Sequence, residues 1–318
     1  MSNAHEIVLS CRGISHWFGS KRVIHDVNLE IIRGEIVALV GPSGCGKSTL
    51  LRSIVGTHPP CDGEVVVKPA GSARGHVVLK PSRDCGIVYQ RYTLFPFLTA
   101  RQNVALGLML DQTSIPFRFL HLLRWRRLHK KHLYEAEALL VKLKLGEAVH
   151  LYPHQMSGGM CQRVAIAQAL IMQPQILLLD EPFGALDEAT REELQRMLLT
   201  LYLENCQAKE DGKPPPYTIL IVTHELNEAI YVGDRVVGLS QYWNWKDNGF
   251  PACPGATIVF DKAAPVFRHD EQRDFEVFAR LRDEIRHAAF DAEVLQEREA
   301  FHAFWDEVQS GRTKGVLW

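Results

Sequence analysis

The chain has 318 residues, 46% of them hydrophobic, enough to bury a sizeable core in roughly one to three domains. Its 36 Lys and Arg against 37 Asp and Glu leave a net charge of −1, which argues against nucleic acid as a partner because phosphate backbones favour a markedly basic surface. No apolar run approaches the ~18 residues of a membrane span, MSNAHEIVLS does not read as a secretory leader, and 7 cysteines without a C-x-x-C pair point to reduced thiols in a cytosolic chain.

Residues 7–67 alternate short apolar runs with turn signals: IVLSC, VIHDVNLEII, GEIVALV, a helix STLLRSIVG, then GEVVV. The pattern predicts a mixed sheet entered by one βα unit. Between GEIVALV and the helix lies GPSGCGKST, which fits G-x-x-x-x-G-K-S/T. Gly41, Pro42, Ser43, Gly44, Cys45, Gly46, Lys47, Ser48 and Thr49 are therefore expected to cradle nucleotide phosphates on backbone amides. Lys47 would reach the β and γ phosphates and the Ser48 hydroxyl would hold Mg²⁺. Cys45 reads as a small residue that fits the loop rather than as a redox switch.

KPAGSARGHVVLKPSRD, 68–84, predicts a loop or an extended hairpin, and CGIVYQ a strand. Residues 91–155 turn helical and rich in Leu, Arg, Lys and His. Within them PFRFLHLLRWRRLHKKH carries Arg118, Arg124, Arg126, Arg127, Lys130 and Lys131, and reads either as a solvated helix face or as a contact for anionic headgroups. HQMSGGMCQRVAIAQAL then places Ser157, Gly158 and Gly159 at a helix start, where a Ser caps free amides and the helix dipole attracts phosphate. A chain with one phosphate cradle thus owns a second. ILLLDE predicts a buried strand delivering Asp180, suited to Mg²⁺, and Glu181, suited to polarising an attacking water, to a sheet edge.

A long helix follows GALD; QAKEDGKPPPY is expected as a loop and TILIVTHE as a strand ending on His224. Beyond RVVGLS the stretch QYWNWKDNGFPACPGA is irregular. Charged helical segments over 270–308, with Phe275, Phe278, Leu281 and Ile285 at helical spacing, make the end of the chain read as an appendage. WNW, 243–245, is expected to be structural packing.

GPSGCGKST, MSGGM with QRVAIAQAL, ILLLDEP, GALD and ILIVTHE, in that order over roughly residues 5–240, resemble the ATPase subunits of ABC transporters. The resemblance implies an α/β fold: a phosphate-loop (RecA-like) ATPase core with an antiparallel β subdomain and a helical subdomain inserted at about 91–165, all within 1–240, plus a helical C-terminal extension over 241–318. It implies ATP and Mg²⁺ as cofactors and two subunits stacked head to tail, Ser157, Gly158 and Gly159 of one closing over the γ-phosphate held by the other. By position, Gln90 touches Mg²⁺ and the attacking water, His224 holds the γ-phosphate, Asp187 crosses the dimer interface, and Phe18 stacks on adenine with Trp17 as a neighbouring candidate. The implied catalytic set is Glu181, His224, Gln90 and Lys47; the implied metal set is Ser48, Gln90 and Asp180. Met156 and Met160 depart from the family's Leu and Gln at the ends of the signature.

RYTLFPFLTARQNVALGL and GGMCQRVAIAQALIMQPQILLLDEPFGALDEATREELQ resemble the importers of nitrate, sulfonates, taurine and bicarbonate. That implies a peripheral subunit on the cytosolic face of the cell membrane, paired with an identical or similar ATPase, a transmembrane permease and an extracytoplasmic solute-binding protein, with no nucleic acid. Leu94, Phe95, Phe97 and Leu98 then face the permease or pack inside the helical subdomain. The solute implied is nitrate, a sulfonate or taurine, bicarbonate, or a small nitrogen compound such as urea, and a lipid-handling or efflux complex, or a soluble ABC ATPase of repair or translation, stands as the alternative.

Overall fold

The computed structural model describes residues 6–264, apart from 73 and 185, and residues 275–296. The early apolar runs form β1 (Ile7–Phe18) and β2 (Lys21–Ile32), long antiparallel strands that pair with β4 (Asp62–Val67) and the short β5 (His76–Val77) in the order β2-β1-β4-β5. The runs that read as buried strands, β3 (Ile36–Val40), β6 (Cys85–Val88), β7 (Ile176–Asp180), β8 (Ile219–Val222) and β9 (Arg235–Ser240), form a second sheet with β10 (Thr257–Ala263) in the order β10-β9-β3-β8-β7-β6. All its pairings are parallel except β9 with β10.

Covered on both faces, its parallel strands are almost wholly apolar, and alternate residues serve opposite cores. Val37, Leu39, Leu178 and Leu220 face α1 (Lys47–Val55) and the antiparallel sheet. Ile36, Leu177, Leu179, Ile219 and Ile221 face a helical layer. That layer contains α2 (Ala100–Gln112), started by a Thr99/Gln102 capping box, α4 (Leu122–Lys142), α5 (Gly158–Leu170) and α6 (Glu188–Glu210); the short α3 (Ile115–Leu120) joins α2 to α4. A third core sets α7 (Leu226–Val232) and α8 (Phe275–Ile285) against Ala38, Val40 and Val236, with Leu281 and Ile285 buried and Phe278 packed beside them.

Two expectations change. The polar stretch after α6 is not loop throughout: the helix runs to Glu210, and its turn ends only at Gly212, with φ 69°, before the prolines. The core sheet also continues past residue 240. Between β9 and β10, Trp243 is fully buried with its Nε1 donating to the Gly255 carbonyl, and Arg235 of β9 forms a buried ion pair with Asp261 of β10 and a second with Glu35. The bond from Ala256 N to the Val23 carbonyl, 2.9 Å, ties this segment to β2. The helical stretch expected after residue 296 lies outside the described residues.

Candidate functional site

The carboxyl ends of β3, β8, β7 and β6 lie side by side, which is where an open parallel sheet gathers its ligand-binding groups. The phosphate loop leaves β3 and enters α1. A Cβ on Gly41 would come within 2.1 Å of the Leu239 carbonyl, and one on Gly46, with φ 106°, within 2.6 Å of Ile24. These two are glycines because the chain itself crowds them. A Cβ on Gly44, with φ 78°, would meet nothing within 4 Å, so the exposed tip of the loop stays open beside Ser43. Lys47 is buried, and its Nζ donates to the carbonyls of Gly41 (2.7 Å) and Pro42 (2.9 Å), which holds the ammonium in the mouth of the loop. Burial pushes the Cys45 thiol up, which opposes thiolate formation despite Lys47.

Strand β7 ends on Asp180, whose Oδ1 accepts from the Ser48 hydroxyl at 3.3 Å. Burial raises the pKa of this carboxyl, the Ser48 bond opposing it. A carboxylate losing hydration beside a hydroxyl suits a hard divalent cation, so Ser48 and Asp180 fit Mg²⁺. Glu181 follows in a left-handed conformation, φ 48°, uncommon for a residue with a side chain and held by its N–H bond to the Val222 carbonyl. Gln90, just beyond β6, donates from Nε2 to Glu181 Oε2 at 3.1 Å, and His224, just beyond β8, brings Nδ1 to 3.4 Å from Oε1. Three residues spread over more than 130 positions of the chain converge because their strands are neighbours.

The second cradle is built differently. Ser157 caps α5, its Oγ accepting from Met160 N at 3.2 Å. A Cβ on Gly159 would meet Thr190 Cγ2 at 1.6 Å, whereas one on Gly158 would meet nothing within 4 Å. Gly159 therefore belongs to the packing of α5 on α6, and Gly158 to the open side. Thr190 also bonds Asp187, the N-cap of α6, through its N–H and its hydroxyl, and these bonds hold the exposed carboxyl below its usual range. Met156 and Met160 pack against the helical layer.

Phe18 ends β1, half exposed, its ring 4.6 Å from His16 and 6.4 Å from His58. It pairs with Lys21, two residues before the Val23 and Ile24 side chains that touch Gly46, so it stands beside β2, the strand that backs the phosphate loop. Trp17 is also exposed. After Gln90 the four apolar residues divide: Leu94 packs inward, Leu98 is half-buried, and Phe95 and Phe97 are exposed, their rings 5.7 Å apart. Fully buried Asn103 fastens this turn, donating to the carbonyls of Phe95, Leu98 and Thr99 and accepting from Phe95 N.

Sequence reasoning missed Asn103, His16, His58 and one further group. Thr223 donates to Glu228 Oε2 at 2.9 Å, and Arg191 Nε lies 3.3 Å from Oε1. Through Glu228 the start of α6 is tied to the turn carrying His224. An acid four residues past a His on a helix start carries no sequence signal of its own.

Residues 24–184 match the ABC transporter family. The chain is 36% identical over 238 residues to the aliphatic sulfonates import ATP-binding protein SsuB of Bacillus cereus, covering 74% of this chain and 82% of that one. It is 40% identical over 214 residues to the nitrate import ATP-binding protein NrtD of Synechococcus elongatus, covering 67% and 68%. Among solved structures it is similar to a dimeric ATP-binding cassette in a post-hydrolysis state bound to ADP and Pi, with TM-score 0.57 and 28% identity over 81% of this chain and 100% of that one. With the phosphate loop, the acidic strand end and the capped Ser-Gly-Gly turn on one α/β frame, the chain belongs to the ABC transporter family, as an ATP-hydrolysing subunit.

Proposed function

We propose that the chain drives uptake of a small oxyanion, a sulfonate such as taurine, sulfate, nitrate or bicarbonate, through a separate permease, working as a peripheral pair of ATPase subunits on the cytosolic face of the membrane. The relatives named as import subunits for sulfonates, sulfate and nitrate support the solute class. An extracytoplasmic solute-binding protein would deliver the solute. The observation that carries the reading is the convergence of Gln90 and His224 on Glu181 beside the Ser48–Asp180 contact.

In this reading the amides of residues 43–49 and Lys47 bind the phosphates of ATP, Lys47 exchanging its loop carbonyls for phosphate oxygens, and Phe18 covers the adenine. Ser48, Asp180 and Gln90 would hold Mg²⁺, which neutralises charge on the β and γ oxygens when bound. Glu181 accepts the proton of the attacking water, and Gln90 fixes the carboxylate through Nε2. His224 turns from Glu181 to the γ-phosphate as the site closes. Ser157 and Gly158 of a partner subunit complete the cradle with α5 amides, and Asp187 lies along the same interface. Phe95 and Phe97, on the loop that begins at Gln90, meet the permease, so occupancy at Glu181 and movement at the permease share one segment.

The test is sedimentation of the Glu181→Gln chain with and without Mg·ATP. A nucleotide-dependent shift from monomer to dimer is expected. A monomer under saturating Mg·ATP would remove the trans role of the Ser157 turn.

A further inference from the structure

The corner joining α2 to α4 takes no part in the nucleotide site and differs chemically from the rest of the chain. From Gln112 to Tyr134 there is no carboxylate, yet Arg118, Arg124, Arg126, Arg127, Lys130 and Lys131 all fall there, in a chain of net charge −1. Arg118 is engaged: its guanidinium donates to the Thr113 hydroxyl and to the carbonyls of Met109 and Thr113, closing the end of α2. Lys131 lies 3.6 Å from Glu135. Among the described residues no ion pair engages Arg124, Arg126, Arg127 or Lys130.

Next to these cations, α3 and the first turn of α4 leave Ile115 67%, Phe119 81%, Leu120 78% and Leu123 74% exposed. Single exposed apolar side chains are ordinary, but four at one corner form a patch of the kind that marks an interaction site. The corner is an ordered element: Ser114 caps α3 by accepting from Phe117 N, and His121 N donates to the Phe117 carbonyl at 2.9 Å before α4 resumes.

The occupant must take up apolar side chains and several unpaired cations at once. Arg124 to Lys130 follow Leu123 along α4 within about 10 Å at ~1.5 Å per residue, so the cations and the apolar tip lie close enough to meet one surface. We propose that the α3–α4 corner docks on an anionic phospholipid surface, with Phe119, Leu120 and Leu123 entering the acyl boundary and Arg124, Arg126, Arg127 and Lys130 among the headgroup phosphates. A nucleic acid would use the cations but leave the apolar tip in water, whereas a lipid interface uses both, the long basic stems reaching back to the phosphates. The proposal leans on the membrane-side reading above only for where such a surface is met; the binding belongs to the isolated chain.

The experiment is flotation of the full chain with vesicles of phosphatidylcholine alone or mixed with phosphatidylglycerol, at low and high salt. The chain is expected to float with the anionic vesicles only and to be released by salt. Neutralising one cation lowers partition about fivefold, so Arg126→Gln with Arg127→Gln lowers it about 25-fold. Phe119→Ser with Leu123→Ser weakens binding while keeping its salt dependence. Both double variants retain ATPase activity measured without lipid, which separates failure of this proposal from failure of the functional reading. No flotation with anionic vesicles, equal flotation with neutral ones, or undiminished binding by Arg126→Gln with Arg127→Gln overturns it. Binding confined to bilayers that contain the permease would make the corner a permease contact and equally overturn it.

Discussion

Compare the phosphate loop with the Ser157–Gly158–Gly159 turn. Both contain a glycine crowded by its own chain, Gly46 against Ile24 and Gly159 against Thr190, and a glycine facing open space, Gly44 and Gly158. Around the first, the sheet edge assembles Lys47, the Ser48–Asp180 contact and the Gln90–Glu181–His224 cluster. At the second, Ser157 is bound to its own cap and Arg163, the nearest buried cation along α5, donates to Glu193. One turn carries reactive groups; the other offers only shape and free amides. The difference teaches that the second turn lacks reactive groups of its own, so on the proposed reading its purpose comes from another subunit's loaded loop, a helix N-terminus binding an anion that something else holds in place.

The largest effect expected from breaking this asymmetry is at Glu181. Glu181→Gln preserves the volume and the contact with Gln90 but removes the proton acceptor, so steady-state ATP turnover should fall by about 10²–10⁴-fold while nucleotide affinity stays within a few-fold. A loss under about tenfold would move the base elsewhere among the polar groups of this edge.

The two signature glycines separate the internal and outward roles. Gly159→Ala drives a methyl into Thr190 Cγ2 and should cost about 1–3 kcal/mol of stability, read as a lower Tm. Thr190→Ser in the same chain removes Cγ2, keeps the hydroxyl that bonds Asp187, and should restore most of the loss. Gly158→Ala has room in the isolated subunit, so its Tm should hold or rise slightly, yet the ATP-driven dimer should be lost. Equal behaviour of the two variants in both assays would erase the distinction.

Glu228 probes how the two turns communicate within one chain. Glu228→Gln keeps a hydrogen-bonding partner for Thr223 and loses the charge that faces Arg191. Turnover should drop by about tenfold, equivalent to ~1.4 kcal/mol, with ATP affinity unchanged. A change confined to affinity would place Glu228 in nucleotide binding instead of in positioning His224.

What the sequence revealed follows the range over which each constraint acts. Phosphate binding needs glycines, a lysine and a hydroxyl within a few residues, and a strand must end on its acids; both stand out in the one-dimensional pattern. Asn103 under the Phe95 turn, Thr190 against Gly159, Arg191 on Glu228 and Arg235 with Asp261 join elements that meet only after folding, and polar residues of those types are common on surfaces. The end of the core was hidden for the same reason. TIVFDKA follows an irregular stretch and is short and mixed in polarity, yet Asp261 becomes interior once Arg235 faces it on the adjacent strand. The basic corner was visible in composition, while the exposure of Phe119 and Leu123 was not.

The smallest expected effect tests the signature's own departure from its family. Met160 stands where the resemblance to the family implies a Gln, and a role for that amide at the neighbouring nucleotide would make the thioether a loss. The structure turns the Met160 side chain against the helical layer and into a cleft of about 750 Å³ that it lines with Arg163, Thr190 and Glu193. Its backbone N–H, which serves Ser157, does not depend on the side chain. Met160→Gln should therefore change ATP turnover by less than about threefold and stability by under ~1 kcal/mol, read from Tm, the range of a partly buried swap of similar size. A rise of tenfold or more in turnover would show that the second turn does contribute a reactive side chain in this family, and that this chain works without it.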